Sequence, residues 1–171
     1  DVIAERLGLD LPQPDMTSWT AMVNRVKHPS AGTAKIAVVG KYTDHIDSYK
    51  SIQESLIHGG IANDVKADIH WLSSEVFDNG EGVEKLKEYD GLLIPGGFGP
   101  RGVEGMLETI RWARENQMPF FGICLGLQCA VIEFARNVCG LEGSHSSEFA
   151  EASPDPVICL LDSQLQVTTM G

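Results

Sequence analysis

Short apolar runs rich in β-branched residues alternate, from Lys35 onward, with stretches whose apolar residues recur at helical spacing. KIAVVG at 35–40 is the first such run, and its Val and Ile content and terminal glycine predict a strand. Tyr49, Ile52, Leu56 and Ile57 then fall on one face of a helix. The same order recurs through ADIHWLS, EKLKEYD, GLLIPGG, the helical VEGMLETIRWARENQ, PFFGIC and the helical LGLQCAVIEFARN, whose expected inner face is Leu127, Val131 and Phe134. Strands alternating with helices predict a parallel sheet covered on both faces, an α/β fold. Ligand chemistry in such a sheet collects in the loops at the carboxyl ends of the strands, here GKYTDHIDS, PGGFGPRG and GICLGLQ.

The two ends differ from this pattern. LPQP is a turn, and Met16, Trp19, Met22, Val23 and Val26 at helical spacing before Pro29-Ser30-Ala31-Gly32 predict a docking helix and a linker. After Asn137 the periodicity weakens into GLEGSHSSEFAEASPDPV, with one more apolar run, VICLL, before LQVTTMG. The chain has 171 residues, enough for one α/β domain of this kind.

A formal net charge of −11 repels a nucleic-acid backbone or an anionic membrane surface, so neither is expected as a partner. No apolar stretch approaches the roughly 18 residues of a membrane span, and DVIAERLGLD does not have the form of a signal peptide, so a soluble, cytoplasmic protein is expected. The beginning and the end both have the look of a piece of something longer. Cys124, Cys129, Cys139 and Cys159 form no C-x-x-C pair, and neither a disulfide framework nor a metal site is expected.

The strongest local signal is Gly122-Ile123-Cys124-Leu125-Gly126, between an apolar strand and a helix. Such an elbow holds a nucleophile in a tight turn, and the flanking glycines remove side chains that would collide there. At a helix N-terminus, unpaired N–H groups and the helix dipole favour the thiolate. Pro95-Gly96-Gly97-Phe98-Gly99 follows another strand and reaches the same edge of the sheet. Backbone amides of Gly97 and Leu125 could there form a two-donor oxyanion hole.

LLIPGGFGPRGVEGM, PFFGICLGLQCAVIEFARN, SSEF and VVGKYTDHIDSYKSI together resemble the class I glutamine amidotransferase domain of CTP synthases, from about Lys35 to Leu161. The resemblance implies a flavodoxin-like sheet and a thioester on Cys124, with ammonia passed to a synthetase domain that activates UTP with ATP and Mg2+ and makes CTP in pyrimidine nucleotide biosynthesis. It implies that glutamine is bound by Gly97, by Leu125, Gly126, Leu127 and Gln128, and by Glu148, which holds the α-amino group. It places Lys41, Tyr42 and Arg101 in loops associated with GTP, the activator, and implies no cofactor in this domain. Residues 1–34 then correspond to the end of the synthetase domain and a linker helix, and residues 35–171 to an amidotransferase domain lacking its C-terminal part. The full enzyme is expected to be a homo-oligomer.

Cysteine amidohydrolysis also needs a base oriented by a carboxylate. In the family these form a His-x-Glu motif near the domain's C-terminus, and an arginine for the substrate carboxylate lies there too. None of His28, His45, His58, His70 and His145 stands in such a motif. His45-Ile46-Asp47 has the nearest spacing and reads as a solvated loop, so little glutaminase activity is expected from these residues alone. A scaffold or interaction module that keeps the fold and docks through the helix around Trp19 remains a second reading. A flavin binder is disfavoured by the lack of Ser/Thr-rich character in GKYTDHIDS.

Overall fold

A computed structural model of the chain describes residues 2–161, and the departure from the family pattern expected after Asp162 lies outside them. Strands form at the predicted apolar runs: β1 (Thr33–Gly40), β2 (Lys66–Ser73), β3 (Gly91–Ile94) and β4 (Phe120–Gly122). They join as a parallel sheet in the order β2-β1-β3-β4. β1 pairs with β2 along its whole length, Thr33 with Lys66 through Gly40 with Ser73.

Before the sheet come α1 (Val2–Leu7) and α2 (Thr17–Lys27), neither of which buries a residue. The expected helix around Trp19 therefore forms, with Trp19 59% exposed. The connections are α3 (Lys50–Ala62), α4 (Val103–Glu115) and α5 (Leu125–Asn137). EKLKEYD winds into a short 3₁₀ turn, Val83–Glu88, that buries Leu86. Beyond α5, β5 (Ser144–Ser146) and β6 (Asp155–Ile158) make a separate parallel pair.

The two-residue period of the strands divides the sheet into two faces. Ala37, Val39, Leu92 and Ile94 point into the main core, where Met106 and Ile110 of α4 and Leu125, Cys129 and Ile132 of α5 meet them. On the other face Ile36, Leu93 and Phe121 line a cavity with Leu56 of α3, so helices cover both sides as expected. Among the described residues no helix is long and apolar enough to cross a membrane.

One expected face is corrected. Leu127, Val131 and Phe134 are 59%, 39% and 50% exposed, and α5 turns Leu125, Gly126, Cys129 and Ile132 inward instead. The helix is apolar on most sides, so periodicity alone offers two faces. Gly126 decides between them: a Cβ there would lie 2.1 Å from the Ile94 carbonyl oxygen, so this side alone can press onto β3.

α4 and α5 are also joined by charge. Glu133, 1% exposed, accepts from Arg114 Nε at 3.1 Å and Nη2 at 2.8 Å, and from Asn137 Nδ2 at 3.1 Å. The Glu133 carboxylate in turn raises the Arg114 pKa. Arg114 keeps about a third of its side chain in solvent, but Glu133 does not, so losing Arg114 strands a buried carboxylate. Arg114→Met is expected to cost about 3 kcal/mol in urea unfolding, the low end for a broken buried pair because Asn137 still donates. Arg114→Met/Glu133→Leu should recover most of that loss.

His145 on β5 is part-buried beside Arg136 and Glu104, with its Nε2 3.6 Å from Glu104 Oε1. Burial pushes its pKa below the ordinary histidine value and Arg136 adds to this, with Glu104 opposing. The unfolded chain thus takes the proton first as pH falls, and stability is lost from near the ordinary pKa of about 6.5 downward. Thermal melts from about pH 7 to about pH 5.5 should show a shallower decline for His145→Asn than for the unsubstituted chain.

Candidate active site

Cys124 is the residue immediately before α5, and its backbone is held at φ 52° and ψ −105°. A non-glycine residue reaches this region only when its surroundings impose it, at a cost of order 1–3 kcal/mol. The imposing contacts are close. The Ile123 amide continues the β3–β4 ladder to the Ile94 carbonyl at 2.9 Å, and the next turn is closed by the Gly126 amide on the Ile123 carbonyl at 2.9 Å. A Cβ on Gly122 would lie 2.6 Å from the Gly126 carbonyl, so neither glycine of the elbow tolerates a side chain. The predicted strand-to-helix elbow is therefore present in full.

The result is an exposed thiol at the positive end of a 13-residue helix. Cys129, one turn on, is the opposite case: it is 0% exposed and burial pushes its thiol up to about 12, which keeps it neutral and unreactive. Cys139 and Cys159 are exposed, but neither lies at a helix N-terminus.

β1, β3 and β4 deliver three loops to one edge. Between them is a cavity of about 380 Å³ lined by Cys124, Gly96, Gly97, Phe98, Tyr42 and Tyr49. A Cβ on Gly96 would be 3.6 Å from the Cys124 Cβ, so Gly96, which the sequence does not single out, faces Cys124 directly, while Gly97 lies against Leu125 and Lys41. Leu125 is the first helical residue and its amide has no intrahelical acceptor. The amides of Gly126 and Gln128, in contrast, donate to the carbonyls of Ile123 and Cys124. The Leu125 side chain is buried, Leu127 is exposed and Gln128 is half-buried.

Glu148 is exposed, and its amide donates to Ser146 Oγ at 3.2 Å. Lys41 and Arg101 are in contact, and Tyr42 Oη accepts from the Phe98 amide of the glycine loop at 3.4 Å. Lys41 is 5% exposed, Arg101 Nη2 donates to the Lys41 carbonyl at 3.0 Å, and Arg101 pairs with Glu75. Tyr49 was visible in sequence only as a helix-face residue. Its hydroxyl accepts from the amides of Lys41 at 3.2 Å and Tyr42 at 3.3 Å, and its ring stacks on Trp71 with centroids 5.5 Å apart. Burial raises the Tyr49 pKa, so the hydroxyl stays protonated. His45 and Asp47 are exposed, and no histidine lines the cavity. Among the described residues no cluster of three His, Cys, Asp or Glu side chains is placed to hold a metal ion.

Strain at Cys124 has a measurable consequence. Glycine adopts this conformation freely, so Cys124→Gly should gain about 1 kcal/mol in urea unfolding, the 1–3 kcal/mol of strain less about 0.5–1 kcal/mol of chain entropy. Cys124→Ala, which keeps a Cβ, should leave stability near its starting value.

Comparison with known proteins agrees with this geometry. The model of the family described as glutamine amidotransferase class-I matches residues 44–157. The CTP synthase of Ruminiclostridium cellulolyticum is 52% identical over 170 residues, covering 99% of this chain and 32% of its own length. That of Desulfitobacterium hafniense is 50% identical over 171 residues, covering 100% of this chain and again 32% of its own length. The chain thus spans about a third of the length of these curated relatives. Among solved structures, the glutaminase domain of Trypanosoma brucei CTP synthase with bound acivicin superimposes with a TM-score of 0.73 at 39% identity, covering 77% of this chain and 51% of that one. A parallel sheet that presents a strained cysteine at a helix N-terminus beside a glycine loop, matched by the family model over most of its length, places the chain in the class-I glutamine amidotransferase family.

Proposed function

We propose that the chain is the glutaminase part of a CTP synthase and that Cys124 is its nucleophile. The observation that carries this reading is the strained Cys124 backbone at the N-terminus of α5, facing Gly96 and Gly97 across a cavity. The Cys124 thiolate attacks the side-chain amide carbon of glutamine. A C–S bond forms, and the carbonyl π pair moves onto oxygen. The amides of Leu125 and Gly97 are the donors for that oxygen, in a position where such donors are worth most. Collapse expels ammonia, which leaves after gaining the proton first removed from the thiol, and water then hydrolyses the thioester to glutamate.

Gly126, Leu127 and Gln128 shape the turn against which glutamine lies, and Glu148, exposed at the end of β5, offers its carboxylate to the α-ammonium group. Residues 1–34 join this domain to a synthetase domain, which uses ATP and Mg2+ on UTP and consumes the ammonia. Lys41, Tyr42 and Arg101 lie in the loops proposed to respond to GTP. The proton relay is proposed to come from polypeptide beyond these residues, because no histidine lines the cavity, and the chain alone is expected to turn glutamine over slowly. The same observation favours, as a second reading, a module that keeps the fold without catalysis.

Acivicin, a glutamine-like electrophile, tests the first reading by peptide mass spectrometry. The expected result is one adduct, on Cys124, suppressed by excess glutamine and absent in Cys124→Ala. Adducts spread over the exposed cysteines and indifferent to glutamine would support the non-catalytic module.

A further inference from the structure

We propose that Lys41 is a positioning residue for the glycine loop, holding from beneath the backbone that supplies the oxyanion donor at Gly97. This rests on the reading of Cys124 as the nucleophile, and it gives Lys41 a role inside the site in addition to any contact with an effector.

The arrangement begins with the end of β1. Immediately after Gly40 the chain puts Lys41 under the Pro95–Gly99 loop, with its side chain 5% exposed. Nζ donates to the carbonyls of Phe98, at 3.2 Å, and Gly99. Its third side faces the Phe149 ring, 5.7 Å from the centroid. A buried ammonium persists only where its donors are met, and these two carbonyls and one aromatic face meet them.

The aliphatic stem works on the same loop. A Cβ on Gly97 would meet Lys41 Cδ at 3.3 Å and Leu125 Cδ2 at 3.2 Å. Gly97 is therefore sandwiched between the lysine stem and the residue whose amide is the other proposed donor. With the carbonyls of the next two residues pinned to Nζ, the Gly96–Gly97 stretch has little freedom to rotate its amides out of the cavity. Lys41 is itself fixed, by its amide on Tyr49 Oη and by Arg101 on its carbonyl. Burial lowers the Lys41 pKa, as it should for an ammonium kept among carbonyls instead of water. Glycine supplies a backbone able to approach the nucleophile, but it supplies no rigidity, and Lys41 provides what the glycines lack.

The test compares two electrophiles on the 171-residue chain. Acivicin reacts by addition of the Cys124 thiolate to its chlorinated imine carbon, which drives an electron pair onto ring nitrogen before chloride leaves, so it needs the loop donors. Iodoacetamide reacts by direct displacement of iodide and does not. In Lys41→Met the acivicin rate at Cys124 should fall roughly tenfold or more, below the 10²–10³ of outright loss of an oxyanion donor, with the iodoacetamide rate within about twofold. Lys41→Arg, which keeps a cation under the carbonyls, should recover part of the loss. If Lys41→Met loses its cooperative melt, Lys41→Gln, which keeps a neutral N–H donor group, is read in its place and should lower the ratio of the two rates about threefold. An unchanged ratio overturns the inference alone. An unsubstituted chain that acivicin does not label at all overturns the nucleophile reading, and this inference with it.

Discussion

The close seating of the first turn of α5 on the end of β3 is the contact on which the site depends. Gly126 lies against the Ile94 carbonyl with no room for a Cβ, while the Ile123 amide bonds to that same carbonyl. With the strand and the helix start both fixed on one peptide, the connecting residue has to turn within a single position. Cys124 takes the strain, and its side chain is thrown clear of the sheet. Exposure, a place at the N-terminus of α5 and proximity to the glycine loop all follow from this one constraint.

The rest of the core keeps that seat rigid. Met106, Ile110, Leu125, Cys129 and Ile132 fill the face of the sheet under α4 and α5, and Arg114 and Glu133 tie the two helices together. The fold also separates two cysteines only five positions apart. Cys129 is sealed in the core, where its thiol stays neutral, and Cys124 is exposed at the edge. Access is thus allotted by position in the fold, because the two side chains are chemically the same.

Much of this was legible in the sequence. The central strands β1 and β3 are nearly continuous apolar runs, which is how strands buried on both faces read, and the elbow announces itself by two glycines around one cysteine. The inner face of α5 was not legible. Leu127, Val131 and Phe134 form as regular a stripe as the one that is buried, and the choice lies in how closely a glycine approaches a strand, a tertiary fact. The placements of Lys41 and Tyr49 were hidden for a similar reason. A lysine in a loop and a tyrosine on a helix face are ordinary in sequence, and only folding puts one under the glycine loop and the other on the β1 turn.

The most direct test of this account is a crystal structure of the chain with acivicin bonded to Cys124. The account requires the acceptor nitrogen of the adduct to lie within about 2.7–3.1 Å of the amides of both Leu125 and Gly97. An adduct on Cys124 whose nitrogen points to solvent, or whose neighbours are side chains instead of these two amides, would contradict it.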